Sequence, residues 1–193
     1  MHDQLLAWIA AADPLIREHP TLGRIAFVTL AAVSALLAFF SSALLVPVAV
    51  YVWGPATCVL LLWSGWLLGG IVAYGIGRNL GRPVVNALLP AGTLARYEGW
   101  AQTGAGFLPV LLLQLAVPSD VAGYLFGLVR CPLRAFLPAL AIAEIPYAIG
   151  AVYLGASFLD RNILPLVGLG LAGLILGVAA SRALRSRGFR PAP

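Results

Sequence analysis

The chain contains no lysine, and only seven acidic residues stand against twelve arginines in 193 positions. It has two cysteines, Cys58 and Cys131, and two histidines, His2 and His19. Each scarcity excludes something. Two cysteines without CxxC or metal-type spacing make neither a disulfide framework nor a zinc site. Two histidines outside the apolar runs leave no histidine-based metal site or proton relay. No GxSxG, HExxH or Walker-type phosphate loop occurs, so no catalytic residue, metal or cofactor is expected, which counts against an enzyme. The N-terminus lacks a basic region before its first apolar stretch, unlike a typical cleavable signal peptide. No polar stretch is long enough to fold alone.

What the chain does have is hydrophobicity: 61% apolar residues, 10% charged, and a mean hydropathy of +0.96. That composition describes an all-α integral membrane protein with a single membrane domain. The net charge of +5 fits anionic headgroups and topology-setting arginines beside membrane spans, and does not suggest nucleic acid.

Between Arg24 and Arg78 lie 53 residues without a charge. Two helical spans need about 40 of them, which leaves about 13, too many for a turn and too few for a third span. The excess contains Pro47, Gly54 and Pro55 but no polar loop, so its backbone has to be satisfied inside protein. The expectation is a first span at about 25–43, a re-entrant piece at about 44–54 and a second span at about 56–77.

The run Phe107–Val129 is apolar enough to cross a membrane, yet Pro118, Ser119 and Asp120 interrupt its middle. Proline removes a donor and clashes with the preceding turn, and a carboxylate at that depth costs about 2.5–3.5 kcal/mol or more. A weaker echo runs from Pro47 through Tyr51 to Trp53-Gly54, as Pro118 leads through Tyr124 to Phe126-Gly127. Charge decides how the run is used. If it crosses, Arg130, Arg134, Arg182, Arg185, Arg187 and Arg190 all face outward. If it enters and leaves on the cytoplasmic side, only Arg161 is outside, as the positive-inside rule favours. The run is therefore expected to be a helical hairpin with Pro118-Ser119-Asp120 at its tip. Spans at about 135–159 and 163–180 follow, with both termini cytoplasmic. The architecture expected is about four transmembrane helices, two inverted re-entrant hairpins and surface amphipathic helices. Leu5, Trp8, Ile9, Ala12 and Ile16 mark one such surface helix, and residues 84–103 a weaker one. The regions are 1–24 (interfacial), 25–160 (membrane domain) and 161–193 (last helix and basic tail).

Two carboxylates carry the candidate chemistry. Asp120 is either an N-cap of the second half-helix, with Ser119 as the alternative cap, or a buried group that takes up a proton, and these roles are compatible. Glu144 sits mid-span beside Pro146, as a proton-coupling group or as a neutral acid supporting a kink. Arg78, Arg130 and Arg134 fall at cytoplasmic ends, where guanidinium forks suit phosphate oxygens or simply set topology. Tyr124 is either a headgroup ligand or a packed aromatic. Gly65, Gly69 and Gly70 mark a close-packed face.

The block from Gly69 through Tyr74 and Gly77-Arg78 to Gly81-Arg82, and the block from Pro118 and Asp120 through Tyr124, Gly127, Phe136 and Pro146 to Tyr153-Leu154-Gly155, resemble the DedA / SNARE-associated Golgi protein superfamily, whose unit is the VTT domain. The likeness covers about residues 25–160 and is nearest the Tvp-like bacterial branch. It implies paired inverted hairpins and movement of lipid, either phospholipid or undecaprenyl phosphate, in the bacterial cytoplasmic (inner) membrane. It also implies a link to the proton motive force through acidic and arginine residues of the hairpins. This chain departs from the pattern. Leu112 and Gln114 stand where the branch has an arginine, the first hairpin has no acidic residue, and Glu144 replaces a small residue. The leading expectation is a membrane lipid translocase whose partners are membrane lipids, as a monomer or a homo-oligomer. A non-transporting scaffold for envelope integrity is the alternative, and an embedded enzyme acting on lipid phosphates is a third reading.

Overall fold

A computed structural model describes residues 18–37, 45–88, 106–116, 119–159 and 163–186. All its regular structure is helical: α1 (Pro20–Leu36), α2 (Val46–Leu88), α3 (Phe107–Ala116), α4 (Ser119–Leu128), α5 (Leu133–Leu159) and α6 (Ile163–Ser186). Pro20 opens α1 after His19, where a missing N–H costs nothing. Among the described residues, two helices, over Val46–Ala87 and Leu133–Ser157, are long and apolar enough to cross a membrane. Their outer faces match that use. Leu60, Leu68, Ile71 and Val72 of α2 and Leu137, Ile142, Ile145 and Ile149 of α5 are all exposed. A monomer in water rarely shows so large an apolar exterior.

Helix α2 is not one straight rod. Gly54 (φ 77°, ψ 163°) and Gly81 (φ 73°, ψ −169°) interrupt it in a region of backbone space essentially open only to glycine. Pro55 directly follows the first break and can start the next segment as its first residue. The break at Gly54 falls where the boundary between residues 44–54 and 56–77 was expected, although helix continues beyond 77 to the second break.

Close approaches between helices set their directions. A Cβ on Gly65 would stand 2.5 Å from the Ala31 Cβ, and one on Gly69 2.5 Å from the Ala32 carbonyl oxygen and 2.7 Å from the Ala35 Cβ. Along both helices the numbers rise together, so α1 runs parallel to the middle of α2. Gly70 packs on Leu140, Trp63 Nε1 donates to the Ala141 carbonyl at 2.9 Å, and Gly155 reaches Val46, so α5 is antiparallel to α2. Gly123 meets Gly70 and Ala73, and Gly127 meets Tyr74 and Arg78, so α4 is parallel to α2.

This corrects the expected first span. The helix covers Pro20–Leu36 rather than about 25–43, and residues 38–43 lie outside the described residues. Two consecutive spans would run antiparallel, whereas α1 and the middle of α2 run in the same direction. The physical reason is packing: Leu37 turns extended, and Ala31 and Ala35 seat on Gly65 and Gly69, which fixes the direction of α1. Arg24 therefore lies at the end opposite Arg78, whereas the charge count put both on the cytoplasmic side.

Two apolar clusters fill the bundle. One joins Ala73, Tyr74 and Val85 of α2, Val110 and Leu113 of α3, most of α4, and Ala135, Phe136, Ala139 and Leu140 of α5. The other joins Phe27 and Ala31 of α1, Val46, Cys58 and Leu62 of α2, and Ala148 and Val152 of α5. Between the two, on α5, lies Glu144.

Candidate functional site

Helix α4 has ten residues, about 15 Å, half the thickness of a bilayer core. Small residues seat it on α2. A Cβ on Gly127 would meet the Tyr74 carbonyl oxygen and the Arg78 nitrogen, one on Gly77 would meet the Tyr124 carbonyl, and one on Gly123 would stand 2.9 Å from the Gly70 carbonyl. Gly123 and Gly127 make a GxxxG pair that lets the two backbones touch.

At the far end of α4 the chain turns through Arg130, at φ 54°. Cys131 N–H donates to the Phe126 carbonyl at 2.9 Å and Arg130 N–H to that of Gly127 at 3.0 Å. This is a Schellman motif with arginine in the left-handed position that helices usually give to glycine. Beside it, Arg78 Nη1 donates to the Tyr74 hydroxyl at 2.7 Å, and that hydroxyl donates to the Cys131 carbonyl at 2.5 Å. Tyr74 is held by stacking on Phe136, with centroids 4.7 Å apart. The expected arginines Arg78 and Arg130 thus belong to one end of the bundle, where Tyr74 ties Arg78 to the carbonyl of Cys131, the residue after Arg130. Arg134, also exposed, begins α5 next to them. Cationic forks at one end of an apolar bundle can hold an anion. Burial pushes the Cys131 thiol up, away from a reactive thiolate.

A Tyr74→Phe substitution is expected to keep the stack while removing the relay. The Cys131 carbonyl and Arg78 then lose their shared partner, and stability falls by about 1–2 kcal/mol. Thermal unfolding in detergent, followed by tryptophan fluorescence, measures this.

The other sequence-derived residues fall at different depths. Tyr124 is fully buried and donates to the Leu36 carbonyl at 2.8 Å, so the packed-aromatic alternative describes its placement. That bond joins α4 to the end of α1. Glu144 is 3% exposed, one turn from Tyr147, close enough to interact with it electrostatically. Tyr147 donates to the Leu115 carbonyl at 2.7 Å, satisfying one of the open carbonyls at the end of α3. Pro47 is buried near Gly155, and Gly54 forms the first break. Ser119 and Asp120 open α4, but their side chains, Pro118, the N-terminal face from Leu5 to Ile16, Asp160-Arg161 and most of the 84–103 connector lie outside the described residues.

Three participants were not assigned roles from sequence. Tyr74 stands four residues before Arg78, the spacing of helical neighbours, which is a usable signal. Gln114 is the one polar side chain in Phe107–Ala116 and is buried. Tyr147 has no sequence signal beyond its place three residues after Glu144.

No curated protein and no solved structure matches the chain. Residues 19–157 match the VTT domain, a membrane-associated and generally transporter-like family. The match takes in the break at Gly54, the glycine seat of α4 and the Arg78–Tyr74–Cys131 chain. The protein belongs to the VTT-domain, or DedA / SNARE-associated Golgi protein, family.

Proposed function

We propose that the protein is a membrane lipid translocase for phospholipid or polyprenyl phosphate in the bacterial cytoplasmic membrane. The observation that carries this reading is the bond from Tyr124 to Leu36, where elements from opposite ends of the bundle touch. In a bilayer, α3 and α4 read as a hairpin entering from the arginine-rich side. Helix α1 with its return through Val46–Trp53 reads as its inverted counterpart. Helices α2, α5 and α6 then make the crossings, and the arginine-rich end faces the cytoplasm. Discontinuous helices with ends at mid-depth are what transport sites are built from. Arg78, Arg130 and Arg134 gather a phosphate headgroup at the cytoplasmic side. Asp120 and Glu144 take up and release protons between states, the role that ionisable residues at membrane depth most often carry.

The test is translocation of fluorescent phospholipid and of undecaprenyl phosphate by the purified protein in vesicles, with and without a pH gradient. Translocation is expected to speed up with the gradient. Glu144→Gln and Asp120→Asn should remove that acceleration by about tenfold or more, equivalent to about 1.4 kcal/mol, with folding retained. Equal rates in the variants would remove the proton coupling. A wild-type protein that moves neither lipid would overturn the translocase and favour a scaffold.

A further inference from the structure

Gln114 is 2% exposed, and its Nε2 has no hydrogen-bond partner among the described residues. A buried amide donor left unmade costs its full desolvation penalty, so native structures rarely keep one without a reason. Methionine or leucine would fill the same space on an otherwise apolar helix without that penalty. The position of Gln114 suggests the reason. It lies in the last turn of α3, four residues after buried Val110 and beside Leu115, whose carbonyl takes the Tyr147 hydroxyl. Buried Glu144 is one turn from Tyr147 on α5. The amide thus lies at the edge of the first apolar cluster, between Leu113 and Ala116, on a helix that the Tyr147–Leu115 bond ties to the turn of α5 carrying the phenol and the carboxyl.

We infer that Gln114 is a headgroup-binding residue at mid-depth, donating its amide N–H to an acceptor oxygen of a lipid phosphate in transit. This rests on the translocase reading and names a ligand for it. The atom that lacks a partner is a donor, so its ligand is an acceptor oxygen, not the ammonium part of a headgroup, which has none to offer. A neutral donor also suits a site that is empty between turnovers. An unpaired guanidinium at this depth would carry a far larger penalty whenever the headgroup was absent.

The experiment compares wild type with Gln114→Met, which keeps the unbranched length and loses the donor. Both are melted in detergent alone, with dihexanoyl phosphatidylglycerol, and with inorganic phosphate at equal concentration. Gln114→Met is expected to raise the baseline melting temperature by a few degrees. The short-chain lipid should stabilise wild type and not the variant, and inorganic phosphate should stabilise neither. In vesicles the variant should translocate about tenfold more slowly. A lowered baseline would mean that the amide already has a protein partner and would overturn the site. Stabilisation of wild type by inorganic phosphate to the same degree would overturn the lipid assignment. Translocation at equal rates in both proteins would sink the site and leave the translocase standing. No translocation by wild type, with a lipid-dependent shift that still needs Gln114, would sink the translocase and leave the site.

Discussion

Replacing Gly127 by valine is expected to undock α4 from α2 and to cost about 3 kcal/mol or more. The upper end of the overpacking range applies because the atoms in the way, the Tyr74 carbonyl and the Arg78 nitrogen, are backbone. A flexible side chain could swing aside, but a helix backbone moves only as a unit. The same shift would pull Tyr74 from the Cys131 carbonyl and open the hydroxyl link that holds Arg78. Purified protein should lose its single monodisperse peak in detergent, or melt well below wild type. Gly77→Val should cost a similar amount, since its Cβ would meet the Tyr124 carbonyl on the same interface. The double variant should cost less than the sum, because either change alone already separates the helices. Additive losses would mean that the two glycines serve different contacts.

Arg130→Gly should move stability and transport in opposite directions. The left-handed conformation of Arg130 costs about 1–2 kcal/mol in an L-residue with a side chain, and glycine removes most of that. The Schellman bonds from Arg130 and Cys131 are made by the backbone and survive the change. Melting temperature is therefore expected to rise. Translocation is expected to fall by about 10–100-fold, the range corresponding to loss of one charge-assisted hydrogen bond to a phosphate. A control at Arg134 separates charge from position: Arg134→Gln removes a cation without touching the strained turn and should leave stability almost unchanged. If Arg130→Gly stabilises the protein and transport is unaffected, the strain at Arg130 has no bearing on headgroup capture.

Much of the fold was legible because the reasons for it are local. A proline beside a carboxylate makes an apolar run costly to continue as helix, so an interruption near Pro118 and Asp120 could be read directly. Helix α3 ends at Ala116 and α4 opens at Ser119, whereas the same pairing at Glu144 and Pro146 is carried inside the unbroken α5. Gly54-Pro55 is legible for the same reason, as a residue free to take positive φ followed by one suited to begin a helix. Gly77-Arg78 could be placed at the end of a span because charge ends an apolar run. The candidate site was only partly legible. Arg78 and Arg130 were visible as cations at span ends, but the bond from Tyr74 to Cys131 that brings them to one end joins residues 57 positions apart, and no spacing rule reaches that far. Tyr124 was ambiguous, since its type suits both a headgroup and a core, and only the partner of its hydroxyl separates the two.

Composition and apolar run length sufficed to point to an all-helical chain with long apolar helices, and glycine and proline positions to its interruptions, whereas the count of arginines put Arg24 on the wrong side. Those properties follow from the cost of putting charge and unpaired backbone into hydrocarbon, and that cost is paid residue by residue. The direction of α1 was beyond their reach. An uncharged stretch of given length can cross or turn back, and the choice depends on which helix receives its small residues. Ala31 and Ala35 against Gly65 and Gly69 settled it in favour of a parallel pair. The placement of Gln114 beside the Tyr147–Leu115 bond is likewise a matter of packing. Burial there turns an unremarkable amide into a donor without an acceptor, which a sequence cannot record.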